Sequence, residues 1–420
     1  MASDGAQATF EANLERYAAL LLQLGVNLQS DQNLILNMSA APVEELAPMM
    51  RLLTRQAYEM GARNVFPQWD DGEMARTRML LAPEEALSDV QLWRIRWYEE
   101  ESARGTAFLT LAGSDPDLFD GVATERLTTV RRANARASEQ LMVATMKLAH
   151  PWSIGAVATQ AWAHKVFPNL SADDALAALW DYIFKATRAD QPDPMAAWRE
   201  HLNRLNVHTD ALNRLRFKRL RYRAPGTELT IDLPEGHLWE GGGSALAKER
   251  PVVPNIPTEE VFSLPQRDGV NGTVSATMPL NYNGVLIEGI RLTLEGGRIT
   301  QYSATSGADA LASIIETDDG SHYLGEVALV PHDSPVNRGS PVYNTLFDEN
   351  AACHIAIGRA YPTCIEGGET MSQEELAARG VNFSDTHVDF MIGSAALDID
   401  GETASGERVP VFRGGLWALA

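Results

Sequence analysis

The chain has 420 residues, 45% hydrophobic and 22% charged, with a formal net charge of −21 at pH 7. Its length exceeds one small core, so two domains are expected, and the acidic balance argues against nucleic-acid or anionic-membrane partners. Two cysteines, Cys353 and Cys364, form neither a disulfide framework nor a zinc ribbon, which favours a cytoplasmic location; no apolar run approaches a membrane span.

The first half alternates in character. Residues 10–24 place Phe10, Leu14, Tyr17, Leu21 and Leu24 on one helical face. A short apolar strand follows at 33–38, a helix at 43–61, and a second strand at 64–68. Helices are expected over 87–102 and 119–142, with a third strand in 103–111 and a fourth around 152–156. Helices over 173–185 and 194–212 close the half. This β-α-β alternation predicts an α/β domain with a mostly parallel sheet. No Gly-x-Gly-x-x-Gly or Walker motif follows these strands, which argues against a nucleotide site.

The pattern changes near residue 215. Short strand-like runs at 228–233, 273–278, 290–294 and 323–330 are separated by Gly and Pro turns, including Gly241-Gly242-Gly243. Helices are expected over 307–316 and 349–357. The tail reads as strands joined by Asp400-Gly401 and Ser405-Gly406 turns. The boundary falls after Asn213, giving an N-terminal α/β domain (1–213) and a C-terminal α+β domain (214–420).

The chemistry gathers in the second domain. In THVDFMIG, extended backbone puts His387, Asp389 and Met391 on one face and Val388, Phe390 and Ile392 on the other. A carboxylate facing the interior needs a partner: a cation, the nearby imidazole or a basic residue. Glu260 follows Pro254 and Pro257 in a stiff loop, which can hold a carboxylate in place; equally, Thr258 could cap a helix with Glu260 in its first turn. Glu326 interrupts the apolar run LGEVALV, at an edge or paired inside. Asp348 suits a helix N-cap, which would put His354 mid-helix as a ligand or a satisfied core histidine. Oxygen and imidazole donors without thiolates suit Zn, Co, Mn or Mg.

Four segments in order, PNIPTEEVFSLP, LGEVALV, NTLFDENAACHIAIGRAYP and THVDFMIG, resemble the motif set of the aminopeptidase T/aminopeptidase S family of thermophilic metallo-aminopeptidases. LTIDLPEGHLWEGGG fits the stretch ahead of the first of these, and the likeness covers nearly the whole chain. The resemblance implies two divalent metal ions per subunit that activate water. It implies Glu260, Glu326, Glu349, His354, His387 and Asp389 as ligands, with Glu326 bridging or close to both ions. Tyr361 matches the Tyr of the family's Ala-Tyr-Pro turn and would donate to the developing oxyanion or, equally, only pack in a Tyr-Pro turn, while Glu260 or Glu349 would shuttle the proton. Peptides with a free N-terminus as substrates, and a homodimer, are further implications. On a straight helix over 349–357, however, Glu349 and His354 would lie about 140° apart and could not aim at one ion. A metal-dependent hydrolase of another small amide, or a silent peptide- or metal-binding scaffold, is the alternative reading.

Overall fold

The structure is a computed structural model that describes residues 4–113, 115–241, 244–246, 250–282 and 285–419. Gly242 and Gly243 of the triple-glycine turn lie outside them. The chain divides into two compact units, Met1–Leu202 with Gly243–Thr258, and Asn203–Gly242 with Glu259–Ala420.

In the first unit, β1 (Asn33–Met38), β2 (Asn64–Gln68), β3 (Ala107–Ala112) and β4 (Trp152–Ala156) form a parallel sheet in the order β2-β1-β3-β4. Leu34, Ile35 and Leu36 are fully buried, as a strand covered on both faces requires. The Tyr17 hydroxyl accepts the Ala156 N–H at 2.8 Å and donates to the Ala156 carbonyl at 3.0 Å, fixing helix Asp4–Leu20 to β4. The single helix expected over 119–142 is two, Thr124–Ala137 and Glu139–Met146, with Ser138 out of helical geometry between them.

The second unit adds β5 (Arg219–Ala224), β6 (Thr227–Asp232) and β7 (Glu240–Gly241). β8 (Ser244–Leu246) and β9 (Arg250–Val252) pair with each other and belong to the first unit. The chain continues with β10 (Val261–Ser263), β11 (Val270–Ser275), β12 (Leu280–Tyr282), β13 (Val285–Ile287), β14 (Arg291–Glu295), β15 (Arg298–Ser303), β16 (Leu324–Leu329), β17 (His354–Gly358), β18 (His387–Met391), β19 (Asp398–Glu402), β20 (Arg408–Arg413) and β21 (Leu416–Trp417). An eight-stranded antiparallel sheet runs β15-β14-β11-β6-β5-β19-β20-β21, and a five-stranded one runs β18-β17-β16-β10-β7. One apolar cluster joins them: Leu220, Ile231 and Val274 from the larger sheet meet Val327, Leu329, Ile355, Ile357, Val388 and Phe390 from the smaller. Every second residue of the small sheet is spent on this core, so its other face is left for chemistry.

Four sequence expectations are corrected or settled here. The helix expected over 349–357 is the short helix Thr345–Ala351, followed by β17. β-branched Ile355 and Ile357 favour the pleated strand, and their alternation with His354 and Ala356 matches a sheet with two different faces. Asn344, not Asp348, caps that helix; Asp348 is buried and accepts the Val342 and Asn344 N–H groups at 2.7 and 3.1 Å. Asp400-Gly401 lies inside β19 rather than in a turn, because Asp400 takes a ladder position opposite Arg221. Thr258 caps no helix either: Glu260 leads straight into β10.

Candidate metal centre

Register places the candidate residues. Opposed residues of neighbouring strands share a face. Asp389 lies opposite Ala356, which lies opposite Glu326; His354 lies opposite Ala328, which lies opposite Phe262. Glu260 is two residues before Phe262. His387, Asp389, His354, Glu326 and Glu260 therefore point off the same face, opposite the core-facing Val388, Ile355 and Val327. The alternation read from THVDFMIG is the one observed. The register of Glu326 depends on a bulge at Gly325. A Cβ on Gly325 would run into the carbonyl oxygens of Gly358 and Arg359, so only glycine fits.

The donor atoms form two overlapping groups, each within 4.8 Å: Glu260, Glu326 and His354, and Glu326, His387 and Asp389. Glu326 belongs to both. One of its oxygens is 3.3 Å from His354 Nε2 and the other 3.5 Å from His387 Nε2. Glu260 is 3.1 Å from His354 Nε2, and Asp389 is 3.4 Å from His387 Nε2. Each imidazole is oriented by backbone: His387 Nδ1–H donates to the Arg359 carbonyl at 2.7 Å, and His354 Nδ1–H to the Ala352 carbonyl at 3.2 Å. Both Nε2 atoms are thereby aimed at the carboxylates, the arrangement in which imidazole binds a cation.

Electrostatics are strongly coupled. Burial disfavours charge on both histidines, yet the facing carboxylates overcome it. Asp389 and Glu326 push His387 up to about 10, and Glu260 and Glu326 push His354 well above its ordinary value. Burial raises the Glu326 carboxyl. Burial, then the charges of Asp389 and Glu260, raises Glu349 much further. Asp389 is pushed up by burial but pulled down on balance by His387. Protons hold such a cluster together only in part. Among the described residues Asp389 Oδ1 is buried without a hydrogen-bond partner, and the donors are all oxygen or imidazole nitrogen. That set fits a hard or borderline divalent cation.

Glu349 stands on helix Thr345–Ala351, close enough to feel Asp389, Glu260, His354 and Glu326 electrostatically but outside both donor groups. The objection raised by a straight helix disappears, because Glu349 and His354 sit on different elements. Tyr361 packs edge-on to His387, with ring centroids 5.2 Å apart, and against Phe262 at 5.7 Å. Burial and the nearby carboxylates Glu326 and Asp389 keep its phenol protonated. His237, His322 and His332 lie outside both groups.

Sequence reasoning missed two supports. Asn350 is fully buried; its carbonyl oxygen accepts the Glu259 N–H at 2.7 Å and its amide donates to Leu346 at 2.8 Å, fixing the loop that carries Glu260. In sequence Asn350 is one residue of DENAACH with no pattern to single it out. The Arg359 carbonyl, which orients His387, is backbone and has no side-chain signature.

A buried oxygen-and-imidazole cluster on an antiparallel sheet, in a chain that also carries an α/β unit, fits the class of metal-dependent enzymes. Residues 10–417 match the model of the thermophilic metalloprotease (M29) family. The chain is 48% identical over 411 residues to Aminopeptidase 2 of Geobacillus stearothermophilus, covering 98% of each, and 45% identical to Aminopeptidase AmpS of Bacillus subtilis, covering 98% of this chain and 100% of that one. The solved structure of wild-type AmpT from Thermus thermophilus superposes with a TM-score of 0.90 at 40% identity, covering 97% of this chain and 100% of that chain. The chain belongs to the thermophilic metalloprotease (M29) family and is a metal-dependent peptidase. Among the described residues, no helix is long and apolar enough to cross a membrane.

Proposed function

We propose that the protein is an aminopeptidase that removes N-terminal residues from peptides with two divalent cations, one in each donor group. The observation that carries this reading is Glu326, whose two oxygens face the two imidazoles and which is common to both groups. Glu260 and His354 would hold one cation, His387 and Asp389 the other, with Glu326 between them. Zn, Co, Mn and Mg all suit these donors. When bound, such a pair supplies Lewis-acid polarisation of the scissile carbonyl and an activated water.

The chain's own residues do the rest. The Arg359 and Ala352 carbonyls keep both imidazoles in one tautomer and orientation. Tyr361, held protonated above His387, is the donor for the oxygen that gains charge as the carbonyl is attacked. Both candidate proton carriers stand at the site, Glu260 3.1 Å from His354 Nε2 and Glu349 within electrostatic reach of Asp389, Glu260 and His354. Glu260 or Glu349 would carry the proton from water to the leaving amine. The family names of the relatives point to a free N-terminus as the recognised feature. The test is a matched pair of peptides, one with a free and one with an acetylated N-terminus. The free peptide should release its first residue and the acetylated one should not; equal cleavage would replace this reading with an endopeptidase or general amidase. The resemblance implies a homodimer, which sedimentation of the purified protein checks, and the two cysteines favour a cytoplasmic location.

A further inference from the structure

β18 carries two of the candidate ligands and is also the terminal strand of its sheet. Its hydrogen-bonding polarity is fixed at one end. The Ile392 N–H donates inward to the Cys353 carbonyl at 2.8 Å, whereas the Met391 carbonyl accepts the Thr277 N–H at 2.8 Å from outside the sheet. Backbone polar groups alternate sides along a strand, and the β17–β18 register runs without a shift from Met391 to His387. Those of Asp389 and His387 must then point outward with those of Met391. Thr277 satisfies Met391, but among the described residues no main-chain group pairs with Asp389 or His387 on that side.

Beside the strand lies a cavity of about 240 Å³, lined by His387 and Asp389 of β18 together with Leu280, Asn281, Tyr282 and Thr345. A single water needs only about 10–15 Å³, so the space takes something larger. An unpaired strand edge is a template for another extended chain, and pairing to it supplies affinity from main-chain hydrogen bonds whatever the side chains. The same strand would thus hold the cations through its side chains and meet the substrate through its backbone.

We propose that the peptide substrate binds as an added strand on the outer edge of β18, its main chain paired with the backbone groups of His387 and Asp389. This rests on the aminopeptidase reading and goes beyond it. The substrate class becomes extended linear peptides, recognised past the cleaved bond by backbone rather than by side chain. An added strand presents its N–H groups to the edge at every second residue only, and this alternation is the signature to test.

The experiment uses a pentapeptide with a free N-terminus and backbone variants in which the amide N–H of residue 3, or of residue 4, is replaced by an ester oxygen or by N-methyl. The ester removes the donor without added bulk. Release of the first residue is measured with the metal-loaded protein, and binding of the same peptides is measured by calorimetry with chelator-treated protein. One of the two positions should lose roughly two- to tenfold in kcat/KM and in affinity, the worth of a single hydrogen bond, and the other should stay near the parent. Equal values at both positions, or equal losses at both, would overturn strand addition. Failure of the parent peptide to release its first residue would overturn the aminopeptidase reading instead. The binding arm still decides the edge in that case: alternation in affinity upholds it, and flat or undetectable binding of all the peptides rejects it.

Discussion

Cys353 immediately precedes a candidate ligand, and its behaviour separates proximity from participation. Its Sγ lies 3.3 Å from the Val330 carbonyl and 3.4 Å from the Val330 N–H, on the core side of the sheet. Burial pushes the thiol up to about 11, so thiolate is scarce at neutral pH. On the helix that the sequence suggests over 349–357, neighbours turn by about 100°, so Cys353 would face away when His354 faces the site. The same outcome arises from extended backbone leading into β17, where neighbours face opposite sides. A Cys353→Ser variant keeps both partners within reach of its hydroxyl. It should retain most activity and its full metal content, and the wild-type thiol should resist alkylation at pH 7 until the protein unfolds. Loss of a metal ion from the variant would place Cys353 among the ligands.

At the scale of elements, legibility followed competition between local signals. THVDFMIG was readable because an alternating pattern with a polar face has few other solutions, and β18 is what it predicts. The DENAACHIAIG run was misread because a good helix start and a β-branched run meet with only Ala352 and Cys353 between them; packing against β16 and β18 decides where one ends. Glu260 offered two readings, helix entry or loop carboxylate, and only the pairing of β10 with β16 resolves them. Spacing gave no means of seeing that Gly325 is obligatory, since its crowding comes from Gly358 and Arg359, more than thirty residues away. Gly325→Ala should therefore cost about 2 kcal/mol or more, as overpacking against backbone does. It should also weaken metal binding, by displacing Glu326. Chemical unfolding together with metal titration checks both, and a variant of wild-type stability and affinity would remove the bulge from the account.

The whole molecule combines two kinds of buried ionisable group. In the second unit the titratable groups converge on one another. In the first unit His150 is buried, with Nδ1 2.7 Å from the Ser102 hydroxyl, Nε2 3.4 Å from that of Thr145 and its ring against Phe108. Desolvation lowers its pKa to about 4. The unfolded chain takes up this proton near pH 6.5 and the folded chain only near 4. The stabilisation from a neutral His150 is thus complete above about 6.5 and is lost as pH falls toward 4, by about 2–3 kcal/mol at pH 4.5. Unfolding of wild type and His150→Gln at pH 7 and pH 4.5 should show the smaller decline in the variant. Parallel declines would mean that His150 is not buried neutral.

The architecture was legible at the level of an α/β half followed by an antiparallel half, because period and glycine content change along the chain. The division of the small sheet into a core face and a ligand face was legible for β18 alone and escaped for β10, β16 and β17, because there it depends on pairing between strands far apart in sequence. That division brings Glu326 between two imidazoles, and the shared carboxylate is the centre of the account. The most direct test is the metal content of purified wild-type protein and of Glu326→Ala after equilibration with excess Zn or Co, read by elemental mass spectrometry on samples whose circular dichroism confirms folding. Wild type should hold two divalent cations per chain. Glu326→Ala should hold one or none, with activity down by several orders of magnitude. A single cation in wild type, or two in the variant with near-normal turnover, would contradict a centre built around Glu326.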